Sequence, residues 1–393
     1  MSMKITSILV LIASINFSCS STLHKIFGGT KTPHEQYAEK LEDKKLDNTP
    51  EGRAWIAASK KALETAQAIQ LPYRQNGFFQ ADRPRSLGLK FHAKHGERLT
   101  FTINKKTNFN FAIYSDLFKA NETNSSPVLS ADTSLLQFYY DIPESADYIL
   151  RLQPQLFQSG EYSLSIFIGP SLGFPVSYIK ANIGSYWGDS RDGSKRNHEG
   201  IDIFAPKHSP AIAAADGYIV GVKEEGIGGK TVWLRPQGQN YTLYYAHLDK
   251  QLVSEGQFIK RGETLGLVGN TGNAKHTASH LHFGVYTSTG AVDPFPFVNK
   301  NTKSVPEIGN KSLAVSLRLN KPKKAGEKLV AANTILTPLA VTSSAYIAET
   351  PNGDIIQVSF TEVKTVKQSS KTFDTGEKIM SLPTKKLKER NNM

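Results

Sequence analysis

The stretch "NHEGIDIFAP", residues 197–206, decides how the region around it folds. Read as the start of a β-strand, it places positions two apart on one face. His198 and Asp202 then point the same way, and Gly200 leaves room between them. A second stretch, "SHLHFGVY" (279–286), has the same register: His280 and His282 share a face, while Leu281 and Phe283 take the other. If the two strands are neighbours, three or four ligand-type side chains converge. Imidazole nitrogen and carboxylate oxygen suit zinc, and three protein ligands with a fourth position left for water is the catalytic pattern. A closed set of four ligands is the structural pattern.

A further histidine, His247, ends the amphipathic stretch "YTLYYAHLD" (241–249). A neutral imidazole at a strand end beside a cleft can take a proton from a metal-activated water or hold an oxyanion. Half-buried histidines on strands are usually structural, so neither pair decides the matter alone. Two ligand-type pairs in strand register within one segment make the joint case. His208 and His276 stand in polar loop contexts, and His24, His34, His92 and His95 lie outside the segment. All six read as surface or structural residues.

The chain of 393 residues carries a formal net charge of +12, with charged residues at 21%. Two to four domains are expected from the length, and wholesale disorder is not. The charge favours an anionic partner, such as acidic lipid or an acidic polymer, or else it is a scattered solvated surface. No basic block interleaved with aromatics occurs, so nucleic acid is not an expected partner. The single cysteine, Cys19, excludes an intramolecular disulfide. It closes an apolar run that starts after Lys4, and the run is short for a membrane span. Residues 1–19 therefore read as an export signal. They resemble a bacterial lipoprotein signal, in which the Cys after the cleavage point is lipidated. Asn16 departs from the usual aliphatic residue there.

Residues 20–72 read as a linker followed by a helix. Thr49 is the expected N-cap, Pro50 the first helical residue and Leu71-Pro72 the stop, with Trp55, Ala58, Ala62, Ala66 and Ile69 on one face. From 73 to 170 the period changes to two. Leu99, Phe101 and Ile103 alternate with polar residues, as do Phe109, Phe111 and Ile113, then Tyr148, Leu150 and Leu152, then Tyr162 to Ile168. This predicts an antiparallel β-sandwich, an accessory or binding module. Residues 171–300 are strand-rich and dense in glycine. Residues 301–366 predict a small β domain, SH3-like as the candidate shape, with a hairpin at Asn352-Gly353. The polar, basic residues 367–393 predict a disordered tail.

The ordered set "RNHEGIDIFAP", "GGKTVWLRP", "YTLYYAHLD", "GETLGLVGNTG", "SHLHFGVY" and "VDPFPFV" resembles the lysostaphin/LytM-type zinc endopeptidases of peptidoglycan, over about residues 175–298. The resemblance implies a LytM-type antiparallel β peptidase domain within a mainly β, multidomain chain. It implies one zinc ion per chain, with His198, Asp202 and His282 as ligands. It also implies His247 and His280 as the catalytic pair that orients and deprotonates water and holds the oxyanion. In some relatives a tyrosine upstream of the first ligand supports that oxyanion, which makes Tyr186 a candidate. The segment between Gly169 and Arg196 departs most from the pattern, and flanking loops of that kind set substrate preference.

The implied activity is hydrolysis of peptide cross-links, with the D,D type as first choice and a glycine bridge as runner-up. The implied setting is an exported protein held by lipid on Cys19 at the periplasmic face of an outer membrane. The alternative is a non-catalytic wall-binding protein or an activator of another murein hydrolase; such proteins typically lack ligand residues. "VSEGQFIKRGETLGLVGN" also resembles a biotinyl/lipoyl-carrier hairpin around Lys260, but a carrier has no use for the histidine pairs.

Overall fold

The computed structural model describes residues 31–106, 111–122, 126–191 and 193–366. The signal expected at 1–19 with Cys19, His24, Phe109 and the tail expected at 367–393 lie outside the described residues. The chain is mainly β, as the alternating patterns predict.

Two helices come first: α1 (Pro33–Asp43) and α2 (Pro50–Glu64). The first stands where a linker was expected. Its signal is in the sequence as a capping box: Thr32 accepts from the Glu35 amide, and the Glu35 carboxylate accepts from the Thr32 amide. The second helix starts at Pro50 behind its Thr49 cap, as expected, but stops at Glu64. Ala66 and Ile69 therefore lie beyond it, and Gln67–Ala68 pairs in parallel with Leu89–Lys90. Sheet hydrogen bonding takes this backbone in place of a last helical turn. Trp55 is buried beside Leu41, Tyr114 and Leu156, which pins both helices to the sandwich.

The longer strands of the sandwich are β1 (Tyr73–Phe79), β2 (Leu87–Ala93), β3 (Glu97–Lys105), β4 (Ile113–Lys119), β5 (Gln137–Asp141), β6 (Ala146–Pro154) and β7 (Gly160–Pro170). One sheet runs β2-β6-β4 and the other β1-β7-β3-β5. Leu89, Leu99, Phe101, Leu117, Leu150 and Ile166 fill the space between them. Burying each such side chain contributes roughly 1.5–3 kcal/mol.

The next region carries β8 (Asn182–Ser185), β9 (Ile201–Phe204), β10 (Gly217–Lys223), β11 (Lys230–Pro236), β12 (Thr242–Gln251), β13 (Thr264–Val268) and β14 (His280–Thr287). The sheet order is β8-β9-β14-β12-β11-β10. Ile201, Ile203, Leu281 and Phe283 are fully buried on one face, and the other face of β9 and β14 carries Asp202, Phe204, His280 and His282. Phe297, just past this sheet, packs over Gly96 of the sandwich, where a Cβ would lie 2.2 Å from its ring.

The last strands are β15 (Ser316–Leu319), β16 (Ile335–Val341), β17 (Ala345–Glu349), β18 (Ile355–Ser359) and β19 (Val363–Val366). The expected hairpin is present, with Gly353 at φ 77° in its turn. These strands are joined to the sandwich: β16 pairs with β1 through Asn76↔Val341 and Gly77↔Ala340, so they extend its sheet. The physical reason is an edge. The free side of β1 presents unpaired backbone groups, and β16 satisfies them. Ala340 and Ile347 enter the sandwich core, while Leu317, Leu336 and Val358 keep a smaller core of their own.

Candidate metal centre

Strand pairing delivers the predicted convergence. β9 and β14 are antiparallel neighbours, with Asp202 directly opposite His282 and Phe204 opposite His280. His198 lies just before β9 rather than on it, and its backbone is fixed by its amide to the Asp189 carbonyl (2.8 Å). Three atoms then meet at a point. His198 Nε2 is 3.0 Å from Asp202 Oδ1 and 3.0 Å from His282 Nδ1, and His282 Nδ1 is 3.0 Å from Asp202 Oδ1. A tetrahedral zinc with bonds near 2.0–2.1 Å would hold its ligand atoms roughly 3.3 Å apart. The donor set fits such an ion after a small outward relaxation. Gly200 is required beside it: a Cβ there would lie 2.6 Å from the His282 ring.

Hydrogen bonds at the far ring nitrogens assign the tautomers. His198 Nδ1 lies 2.8 Å from the Tyr186 carbonyl, His247 Nδ1 2.9 Å from the Thr271 carbonyl, and His280 Nδ1 2.8 Å from the Ala278 carbonyl. A carbonyl only accepts, so each Nδ1 carries the proton and each Nε2 keeps its lone pair. His280 Nε2 is 3.9 Å from Asp202 Oδ1. The rings of His247 and His280 are 5.1 Å apart, and those of His247 and His282 5.8 Å. Both predicted catalytic histidines therefore stand beside the candidate ligand cluster.

His247 reaches this face by breaking strand alternation. Strict period two would send it to the core side with Tyr245. Thr231 of β11 faces an extra residue on β12, since Lys230 pairs with Leu248 and Val232 with Tyr245. That bulge, with His247 at φ 61°, turns both Ala246 and His247 toward the groove.

The electrostatics favour a cation. With its proton on Nε2, His282 would turn a third acceptor atom toward His198 Nε2 and Asp202 Oδ1, and three acceptors at this spacing repel unless a positive ion lies among them. Burial, partly offset by Asp202, pushes the His282 pKa down, which favours the neutral imidazole that a metal ligand must be. His247 is pushed down to about 4, by burial first and then by His282 and His280. Burial alone would raise the Asp202 carboxyl, but interactions with His198 and His282 hold it well below the usual carboxylate range. Its second oxygen accepts from Arg191 at 2.8 Å.

The cluster forms the floor of an open groove of about 520 Å³. Tyr186 contributes its carbonyl to His198, while its ring packs on Phe295 and is 47% exposed, outside the groove lining. Residues not singled out from sequence line the walls: Arg191, Glu199, Trp233, Tyr244 and Tyr286. For Tyr244 and Tyr286 the signal existed, since both share the groove face of their strands with Ala246 and His282. Arg191 sits in the segment that departs from the family pattern and carries no motif.

Residues 196–294 match peptidase family M23. An uncharacterized metalloprotease of Haemophilus influenzae is 39% identical over 113 residues, which are 28% of this chain and 23% of that protein. The peptidoglycan DD-endopeptidase ShyB of Vibrio cholerae is 35% identical over 96 residues, 24% of this chain and 22% of that protein. The chain thus spans under a quarter of the length of these two relatives. Among solved structures, the catalytic domain of lysostaphin from Staphylococcus simulans is 30% identical, covering 30% of this chain and 91% of that one, with a TM-score of 0.28. Within this chain, residues 196–294 are a peptidase M23 domain, of the LytM/lysostaphin family.

Proposed function

We propose that this protein is a zinc-dependent endopeptidase that hydrolyses peptide cross-links of bacterial peptidoglycan, with one zinc ion per chain. The observation that carries the reading is the mutual 3.0 Å approach of His198 Nε2, Asp202 Oδ1 and His282 Nδ1 on a groove floor. These three atoms would hold the metal. Bound zinc supplies a Lewis acid for the scissile carbonyl and lowers the pKa of its water toward about 7.

The chain's own residues do the rest. Gly200 and the β9–β14 register keep His282 in place. His280 and His247 present Nε2 lone pairs to the groove, so one accepts the proton of the attacking water and passes it to the leaving amine. The other would accept a hydrogen bond from the same water and orient it, leaving the oxyanion to the Lewis acid. Their Nδ1 bonds to fixed carbonyls hold the rings in orientation without reorganisation during the reaction.

The D,D-type cross-link is the proposed bond, supported by the name of the Vibrio cholerae relative ShyB. Zinc-loaded protein incubated with purified muropeptides of different cross-link chemistry, followed by mass spectrometry, tests it. D,D-cross-linked dimers should fall to monomers. Cleavage of glycine-bridged material alone contradicts the bond assignment, and cleavage of neither contradicts the enzyme. We further propose that lipid on Cys19 anchors the mature protein in the cell envelope. Stable anchoring takes more than one acyl chain. A Cys19→Ala protein that stays membrane-bound and normally processed contradicts this.

A further inference from the structure

One short segment holds two of the three candidate ligands from behind. Ser185 ends β8 directly opposite Asp202 of β9, because a bulge at Gly184 shifts the register. Just past it, the Tyr186 carbonyl accepts from His198 Nδ1 and the Asp189 carbonyl from the His198 amide. The Asp189 carboxylate accepts from the Tyr186 amide at 2.7 Å and from the Ser185 hydroxyl at 2.8 Å, so the turn is closed on itself. Arg191 then pairs with Arg196 in a two-strand hairpin that returns at Asn197, the residue before His198. The hairpin brings the guanidinium back over the Ser185–Asp202 pair, where Nη2 donates to the Ser185 hydroxyl and to Asp202 Oδ2.

The two oxygens of Asp202 therefore have different surroundings. Oδ1 faces three imidazoles: His198 Nε2 and His282 Nδ1 at 3.0 Å, and His280 Nε2 at 3.9 Å. Oδ2 faces the guanidinium at 2.8 Å. With side-chain exposures of 26% and 12%, the Arg191–Asp202 pair is mostly withdrawn from water, so screening weakens it little. A charge-assisted bond of this length is among the stronger ones that a carboxylate oxygen makes. A carboxylate can bind a metal ion through one oxygen or through both. Binding through both would put a fourth protein atom on the ion, in a site that needs its fourth position for water. Turning Oδ2 toward the ion would also break the Arg191 bond.

We propose that Arg191 is a positioning residue that restricts Asp202 to one-oxygen ligation, and so keeps a coordination position free for water. In this role it touches neither metal nor substrate and acts through Asp202. The proposal rests on the zinc reading above and adds to it the group that selects how one ligand binds.

The test compares crystal structures of the zinc-loaded full chain and of zinc-loaded Arg191→Met. Zinc content and cleavage of cross-linked muropeptides are measured on the same preparations. In the wild type, Asp202 Oδ1 should lie about 2.0–2.2 Å from zinc, with Oδ2 still on Arg191. In Arg191→Met both oxygens should bind the zinc, with the metal retained and kcat/KM lowered roughly 10–100-fold. Arg191→Ala adds no atom to the groove and serves in the same way if the Met variant does not fold. Arg191→Lys returns a cation to the position. It should restore one-oxygen ligation and most of the rate, which a general loss of structure would not allow. Wild-type zinc bound by both Asp202 oxygens overturns the proposal, as does one-oxygen ligation in the folded Met or Ala variant. If ligation changes as expected but no form cuts the muropeptides, the positioning role stands and the peptidase reading falls.

Discussion

Two buried polar clusters in this molecule look alike in composition and differ in how they close. In the sandwich, Arg151 pairs with Asp116 at 2.7 Å and donates to Ser59 at 2.9 Å. Nearby, His34 Nε2 meets Gln153 at 2.7 Å, and Gln153 donates to the Trp55 carbonyl at 2.8 Å. Cation answers anion and donor answers acceptor, and Arg151 Nε alone in this cluster has no partner among the described residues. In the M23 domain, His198, Asp202 and His282 turn three potential metal-ligand atoms toward one point. A closed cluster holds helices α1 and α2 on a sheet. An open one asks for a positive ion, and that distinguishes a site from a structural network more reliably than residue type does.

The largest expected effect breaks the open cluster. Asp202→Ala removes the one anion and should abolish both zinc retention and turnover, checked by elemental analysis and muropeptide cleavage on the same preparation. Retained zinc would show that the carboxylate is not a ligand. The matching change in the closed cluster, Asp116→Ala, leaves Arg151 buried and uncompensated. It should cost about 3–5 kcal/mol of stability in denaturant unfolding, while folded protein keeps its zinc affinity. If Asp116→Ala lost zinc affinity in the folded state, the two clusters would not be independent.

Metal removal comes next. With free zinc at about 100 times Kd, binding to the folded state alone should add about 2.7 kcal/mol, which chelator removes. Thermal unfolding with and without chelator checks this, and no shift would contradict a built site. The smallest effect is at Gly200→Ala. A methyl group 2.6 Å from the His282 ring forces that imidazole to shift, and zinc affinity should fall by roughly 10–100-fold, the range seen when ligand orientation is disturbed. Competition with a chromophoric chelator measures it.

Much of this was legible in the sequence because period two is a strong code. The ligand face of His280 and His282, the core face of Leu281 and Phe283, and the turn at Asn352-Gly353 all follow from it. The Thr49-Pro50 helix start was equally clear. What escaped the reading depends on partners distant in sequence. The pairing of β16 with β1 joins residues with no local signal for each other, so the link between the small β domain and the sandwich was not legible. The end of α2 was overridden by a short parallel pairing to β2. The turn of His247 toward the groove needs a bulge that alternation cannot foresee. Helix α1 was missed although its Thr32–Glu35 capping box stands in the sequence, because the polar residues around it outweighed that signal.

The two histidines of "HLH" share a face and differ in position: His282 Nδ1 lies 3.0 Å from both His198 Nε2 and Asp202 Oδ1, while His280 Nε2 stands 3.9 Å from Asp202 Oδ1. Zinc stoichiometry and cleavage rate measured together on purified His282→Ala and His280→Ala test the central claim most directly. His282→Ala should lose zinc and activity together. His280→Ala should keep its zinc and lose roughly 10²–10⁴-fold in rate. A metal-free His280→Ala beside a fully loaded His282→Ala would contradict the account.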